Sequence, residues 1–497
     1  MKPKLLFWLG ADFTHFFLSY YLQKKLDADF FSIIDITKKP RTFFESQTLV
    51  NFKKSWFFHD NISPTQNIDE EYLKNFEEKY EISLWKLAIN ERIFYRFNDF
   101  YKFTTNEILS IEEQSCKFFE QVLDEIKPDF FITKEPSFHH LELLSKICLK
   151  RGIKVILLGY APFSGKCIIS QEPGKIDSLS ELEKIKPPGR NIEKLKELLL
   201  EQKISKQIKI YDNEHVKSNA QLIKSGLKFL KQKNENIDTH YNYFGRSKSK
   251  VFFSTITSLV KKKQRQNFID STLEQNVDLD TNFVYFPLAV DLERNLLIDA
   301  PFYTNQIEII RNIAKSLPIG YSLYVKENPS QISREWRNID EYKSIMKIPN
   351  TTLIHPSYNS EKLLQNCNLV ITIAGTSAFE SAFFEKPAIL FVDRDYAVLP
   401  SINLIKDITV LPKLIRDSLK IKPDVTHLDQ YVSLLEKNSF KFNWMEFGTK
   451  FKNEFYYQGA LVDVDISETK IKKMLESVES HFQSLISAHI DKINNTK

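Results

Sequence analysis

Short apolar runs and helical spacings take turns along the first third of the chain. "KLLFWLG" is long enough for a buried strand, "HFFLSYYLQKKL" spaces its apolar residues as a helix does, and "DFFSIID" returns to a strand. The rhythm continues with "SCKFFEQVLDEIKPD", an amphipathic helix stopped by Lys-Pro, the strand "FFIT", the helix "LELLSKICLKRG" ending at Gly152, and the strand "IKVILLG". Alternation of this kind predicts a parallel sheet covered by helices on both faces, so residues 1–176 are expected to form a Rossmann-like domain.

Residues 177–280 change character, becoming helical, Lys-rich and Gln/Asn-rich, and read as a helical insertion or interdomain segment. A second α/β block follows over 281–422. It runs from the strand "NFVYFPL" through the strands "YSLYVKE", "TTLIH", "LVITI" and "AILFV", with helices between them. Residues 423–497 are helical again, and "ETKIKKMLESVESHFQSLISAHIDKI" is expected to pack back across the domains. The predicted fold class is therefore α/β with two Rossmann-like domains, a ligand cleft at their strand C-terminal ends, a helical insertion and a C-terminal helical segment.

Composition agrees with more than one core, because 497 residues exceed the roughly 250–300 at which a single core stops growing. A net charge of +5 is too small for this length to point to nucleic acid. The positive charge gathers between Arg246 and Arg265, where "RSKSK" and "KKKQR" flank the uncharged segment Val251 to Val260. This cluster reads as a solvated face or as a peripheral contact with an anionic membrane surface or polyanionic acceptor. Cys116, Cys148, Cys167 and Cys367 show no paired spacing, which gives no disulfide framework or zinc site and fits a reducing, cytoplasmic setting. The apolar start of the chain is interrupted by Asp12 and His15, so it reads as a strand rather than an anchor.

Candidate chemistry sits where strands end. In "LVITIAGTSAFESAFFEKPAILF" a strand gives way to a helix at Gly375, where backbone freedom and close ligand approach are available. Thr376 or Ser377 can cap that helix, Glu380 stands at capping-box spacing from Ser377, and the first-turn amides suit a phosphate. In "SLYVKENPSQ" a strand carries Lys326 and Glu327 to a loop, and Lys326 can neutralise a phosphate or carboxylate. The loop "FPLAVDLERNLLIDAPFYTNQ" adds Asp291, Glu293, Arg294 and Asp299, and reads as a solvated connection or as a set of groups orienting a sugar's hydroxyls or carboxylate. After the first strand, Asp12 and His15 are candidate general bases for an acceptor hydroxyl, and "KEPSFHH" places Glu135, His139 and His140 on the same rim without metal-ligand spacing.

Together, "PLAVDLERN", "SLYVKENP" and "LVITIAGTSAFESAFFEKPAILF" resemble, in order, the C-terminal half of the capsule polysaccharide biosynthesis proteins. That group includes Kdo transferases and related surface-glycan glycosyltransferases of the two-Rossmann (GT-B) type. The likeness covers about Asn282 to Phe391. It departs at Leu292, where the family has Pro, at Asn328, where it has His, and at Glu385, where it has Gly.

The resemblance implies a metal-independent glycosyltransferase without a cofactor other than its nucleotide-sugar donor; it suggests a CMP-activated acidic sugar such as Kdo, and Asn328 leaves UDP- or other donors open. The acceptor would be a surface polysaccharide or a lipid-linked glycan, met in the cytoplasm or at the inner face of the membrane. Gly375, Thr376, Ser377, Glu380, Lys326, Asn328 and Arg294 would hold the donor, with Glu293 at the sugar and Asp12 or His15 as base. Rival readings are a nucleotide-sugar epimerase, a polyol-phosphate transferase, and a non-catalytic glycan-assembly partner.

Overall fold

A computed structural model describes residues 2–95, 99–201, 219–457 and 461–495. The chain divides into two compact units, one formed by 1–177, 202–252 and 438–497, the other by 178–201 and 253–437.

The first unit is built on a seven-stranded sheet of order β13-β6-β5-β4-β1-β2-β3. Its strands are β1 (Lys4–Gly10), β2 (Asp29–Asp35), β3 (Lys54–Phe57), β4 (Phe130–Lys134), β5 (Lys154–Tyr160), β6 (Lys166–Ser170) and β13 (Ser439–Lys441). Side chains alternate across such a sheet, which explains its two cores. Leu5, Phe7 and Leu9 face a cluster with Phe130 and Ile132, whereas Leu6 and Trp8 face another with Phe131. The strands from β3 to β5 are parallel, as expected, but β6 and β13 run antiparallel at one edge, so the sheet is mixed.

The second unit carries a six-stranded sheet of order β12-β11-β10-β7-β8-β9, with β7 (Phe283–Pro287), β8 (Ser322–Lys326), β9 (Thr351–Ile354), β10 (Leu369–Thr372), β11 (Ala388–Leu390) and β12 (Ile402–Leu404). All five pairings are parallel, and Val284, Phe286, Val325 and Ile371 fill its core. Both sheets are Rossmann-like, as the apolar rhythm predicts.

The unit boundaries differ from the expected segments for reasons of packing. Within 177–280, residues 178–201 join the second unit, where Arg190 pairs with Asp429 at 2.6 Å and with Glu436 at 2.9 Å. Residues 202–218 of that segment lie outside the described residues. The helix Val425–Asn438 buries Leu428, Tyr431 and Val432, and its residues through Lys437 also belong to the second unit. The last helix, Glu468–Asn495, instead buries Phe482, Leu485 and Ile486 in the core that holds Phe17 and Tyr21 of the first unit. Among the described residues no helix is long and apolar enough to cross a membrane. All four cysteines are buried and free.

Candidate functional site

In an open parallel sheet, ligands bind beyond the strand C-termini where the strand order reverses. In the second sheet that point lies between β7 and β10, and the turn Gly375–Ser377 follows β10 directly. The loops after β7, β8 and β11 end on the same edge.

A buried ionic network fixes two of these loops. Glu327 is fully buried and accepts hydrogen bonds from Arg337 Nε at 2.8 Å, Tyr342 Oη at 2.9 Å and its neighbour Asn328 N at 2.7 Å. Arg337 also pairs with Asp291 at 2.7 Å and donates to the Ala289 carbonyl. Burial disfavours its charge, but Glu327 and Asp291 outweigh burial and hold the guanidinium protonated. Gln306 bonds both the N–H and the carbonyl of Ala289, and Gln331 accepts from Asp291 N at 3.0 Å. The loop therefore enters Glu293 and Arg294 from a rigid base.

Arg337 is delivered by two consecutive left-handed residues, Glu335 (φ 64) and Trp336 (φ 63). Backbone of this kind persists only where surroundings hold it. The helix Lys248–Thr272 supplies that hold. Arg265 donates to the carbonyls of Glu335 at 3.1 Å and Trp336 at 3.0 Å, Ser258 donates to the Glu335 carboxylate, and Gln266 accepts from the Trp336 indole at 2.7 Å. Arg265 is therefore a brace, and the reading of the whole basic cluster as a solvated face fails at this residue.

The turn after β10 is shaped by space. Gly375 does not use left-handed backbone; a Cβ there would lie 2.7 Å from Thr372 Oγ1 and 3.3 Å from Ser377 Oγ. The helix Ser377–Ala382 is short, and neither hydroxyl caps it: Thr376 donates to Glu380 Oε1 at 3.0 Å, while Ser377 Oγ is enclosed without a hydrogen-bond partner. By helix geometry the Thr376 and Ser377 amides are among those left without an acceptor inside the helix. Tyr396 donates to the carbonyls of Ala374 at 3.2 Å and Gly375 at 3.0 Å, tying the turn to the loop after β11.

That loop also carries Arg394, whose Nη2 donates to Asp299 at 2.7 Å and Asn295 at 2.9 Å. Asp299 accepts from Arg294 at 2.9 Å as well, so two guanidinium groups share this carboxylate at the sheet edge. Arg394 Nε is buried without a partner.

The remaining predicted donor residues have internal duties. Lys326 is buried and donates to the carbonyls of Glu327 at 3.3 Å and Pro356 at 3.0 Å. Asn328 accepts from Ser330 N at 3.0 Å, capping the short helix Pro329–Arg334. Glu293 stands at the N-terminal end of the helix Arg294–Leu297 without capping it. The backbone explains one departure from the resembled family and leaves another strained. Leu292 adopts φ 67, which proline cannot, and Glu385 adopts φ 56, which glycine would take without strain.

In the first unit the strand order reverses between β1 and β4, and the groups there are Asp12 and Lys134, joined as an ion pair. Burial pushes the Asp12 carboxyl up, but Lys134 and His15 more than offset this and keep it below the usual range. Asp12 also accepts from Thr14 N at 3.1 Å. His15 lies inside the core with 2% exposure, and burial pushes its imidazole down to about 4. It is neutral and enclosed.

Sequence reasoning placed His139 and His140 on this rim but missed His59 and the carboxylates that hold the three histidines. Asp35, at the end of β2, pairs with His59 at 3.1 Å and His140 at 3.3 Å. His139 contacts the fully buried Glu112 at 2.6 Å and bonds Tyr241 Oη at 3.2 Å. Arg394, Tyr396 and Arg337 were also missed; the first two carry only the signal of a charge or a hydroxyl soon after a buried strand, and Arg337, beyond the short helix Pro329–Arg334, carries none. No group of three or more His, Cys, Asp or Glu side chains among the described residues is arranged to hold a metal ion.

No protein-family model and no curated protein matches the chain. Solved structures similar to it include the UDP-GlcNAc 2-epimerase of Methanocaldococcus jannaschii, at 14% identity over 87% of this chain and 99% of that one, with a TM-score of 0.24. The β-Kdo 2,7-transferase KpsC of Thermosulfurimonas dismutans is similar at 13% identity over 70% and 87%, TM-score 0.29. The trehalose-6-phosphate phosphatase N-terminal domain of Candida albicans is similar at 11% identity over 90% and 95%, TM-score 0.30. At these scores the likenesses add nothing to the sheet topology already described.

Proposed function

We propose that the second unit binds the phosphate of a nucleotide sugar at its switch-point edge, and that the protein transfers the sugar to a glycan or glycolipid acceptor met at an anionic membrane surface. One observation carries the reading: the Gly375–Ser377 turn stands where the strand order reverses, tied through Tyr396 to the loop that brings Arg394 to Asp299 and Arg294. The Thr376 and Ser377 amides and the two arginines would stabilise charge growing on the leaving phosphate, as fixed dipoles and cations do without reorganising. This chemistry asks for no divalent ion. Ser377 Oγ and Arg394 Nε are unused donors that phosphate oxygens would satisfy on a small opening of the turn.

In the first unit Asp12 is assigned the acceptor proton because it is partly exposed whereas His15 is enclosed, and it acts as base only once the acceptor has displaced Lys134 from its carboxylate. The donor in this reading is a CMP-activated acidic sugar such as Kdo, in keeping with the motif resemblance. The rival is a glycan-assembly partner without transfer activity, favoured by the internal bonds that occupy Lys326 and Asn328.

A thermal-shift screen with CMP, UDP, GDP and ADP, with and without chelator, tests the proposal. A ligand at 100 times its dissociation constant stabilises by about 2.7 kcal/mol. Stabilisation by one nucleotide, insensitive to chelator and lost in Arg394→Ala, is expected. No shift with any nucleotide overturns it, and binding without turnover of a matching nucleotide sugar selects the rival.

A further inference from the structure

The stretch Arg246 to Arg265 holds seven Lys and Arg residues and no Asp or Glu, with its ten central residues uncharged. In the structure residues 248–265 belong to one continuous helix, Lys248–Thr272. Ser258, Arg265, Gln266 and the fully buried Ile269 dock this helix on the second unit. Another face looks outward. Phe253, Ile256, Leu259 and Val260 are 65%, 44%, 56% and 53% exposed, and at 100° per residue they fall on one stripe. Lys261 and Lys263 are exposed beside the C-terminal end of that stripe and make no ion pair among the described residues.

Large apolar side chains grouped on a water-facing helix stripe mark an interaction surface. The charge identifies its occupant. A second copy of the chain would bring two cationic stripes together, which like charges oppose, and a polyanion in water would engage the lysines while leaving Leu259 exposed. An anionic bilayer satisfies both halves, because its headgroups take the ammonium ions while the stripe enters the acyl boundary.

We propose that the helix Lys248–Thr272 is an interfacial membrane anchor that seats Phe253, Ile256, Leu259 and Val260 in an anionic lipid leaflet. The inference rests only on the membrane part of the reading above and is independent of nucleotide binding. It also assigns the stripe to a specific depth, since such helices lie in the interface plane rather than cross it.

Co-sedimentation of the full chain with vesicles tests it. Vesicles of equal parts phosphatidylcholine and phosphatidylglycerol should bring the protein down, and pure phosphatidylcholine vesicles should not. Leu259→Asp should weaken binding more than about tenfold through loss of apolar burial. Lys261→Gln/Lys263→Gln should weaken it roughly thirtyfold, and added salt should imitate that variant. Both variants are at exposed positions and should keep the parent melting temperature and nucleotide-induced shift, so loss of lipid binding is separable from misfolding and from failure of the donor site. Absence of binding to anionic vesicles overturns the proposal. So does binding that Leu259→Asp leaves unchanged, which would mark a purely electrostatic contact, or a concentration-dependent dimer abolished by Leu259→Asp without any vesicle binding.

Discussion

Between β1 and β4 the first sheet ends in Asp12 and Lys134, which neutralise one another, and the nearby Asp35 is occupied by His59 and His140. Between β7 and β10 the second sheet ends in a glycine turn, with two arginines sharing a single carboxylate on the neighbouring loops. The topology at the two places is the same, yet one edge pairs a single lysine with an aspartate, and the other gathers two arginines on a shared carboxylate. Strand order selects where a ligand is accommodated; the side chains past each strand select its sign.

The largest test of this contrast removes the support under the cationic edge. Glu327→Ala leaves Arg337 buried with only Asp291 opposite, and should cost about 3–5 kcal/mol in denaturant unfolding. A cost confined to 1 kcal/mol would show that the network is dispensable.

Acid should separate the units next. His15 and His240 of the first unit are buried with folded values pushed down to about 4, and His489 to about 3, in each case chiefly by burial. A group depressed on folding contributes stability that is complete above its unfolded value near 6.5 and is lost as the unfolded chain takes up protons below it. Each such histidine should therefore withdraw about 1.4 kcal/mol per pH unit between 6.5 and its folded value. His139, raised because Glu112 outweighs its burial, opposes this in part. Hydrogen exchange read peptide by peptide at pH 7 and pH 5 should show protection falling first in the first unit; equal loss in both would remove this difference between them.

Smaller changes sharpen the cationic edge itself. Gly375→Ala forces a Cβ against Thr372 Oγ1 and should cost about 1–3 kcal/mol and weaken any nucleotide-induced thermal shift. Last in size, Glu385→Gly should raise stability by about 1 kcal/mol, because it relieves a left-handed side chain at an exposed position.

The sequence was most legible where apolar runs were long. β1 and β2 occupy the whole of "KLLFWLG" and "DFFSIID", because seven consecutive residues buried largely on both faces leave little else for the chain to do. β13 was hidden in a helical stretch, since three residues pair with β6 only through a register set far away, Lys441 opposite Lys166. The same distinction holds at the site. Gly375 announces a turn from its neighbours, while the significance of Arg394 depends on Asp299, ninety-five positions earlier, and that of Arg337 on Glu327 and Arg265 together. Lys326 shows the reverse: its strand-end position suggests a ligand contact, while in the structure its side chain turns inward to two carbonyls that the sequence does not announce.

The backbone at Leu292 limits which residues that position can hold. At φ 67 this residue stands about 130° from the angle that a pyrrolidine ring enforces, so proline cannot be introduced there without rebuilding the loop from Asp291 to Arg294. Glycine, by contrast, would enter freely. The position therefore acts as a filter: residues tolerant of the bend can occupy it, whereas proline is shut out as long as Arg337 and Gln331 keep their hold on Asp291.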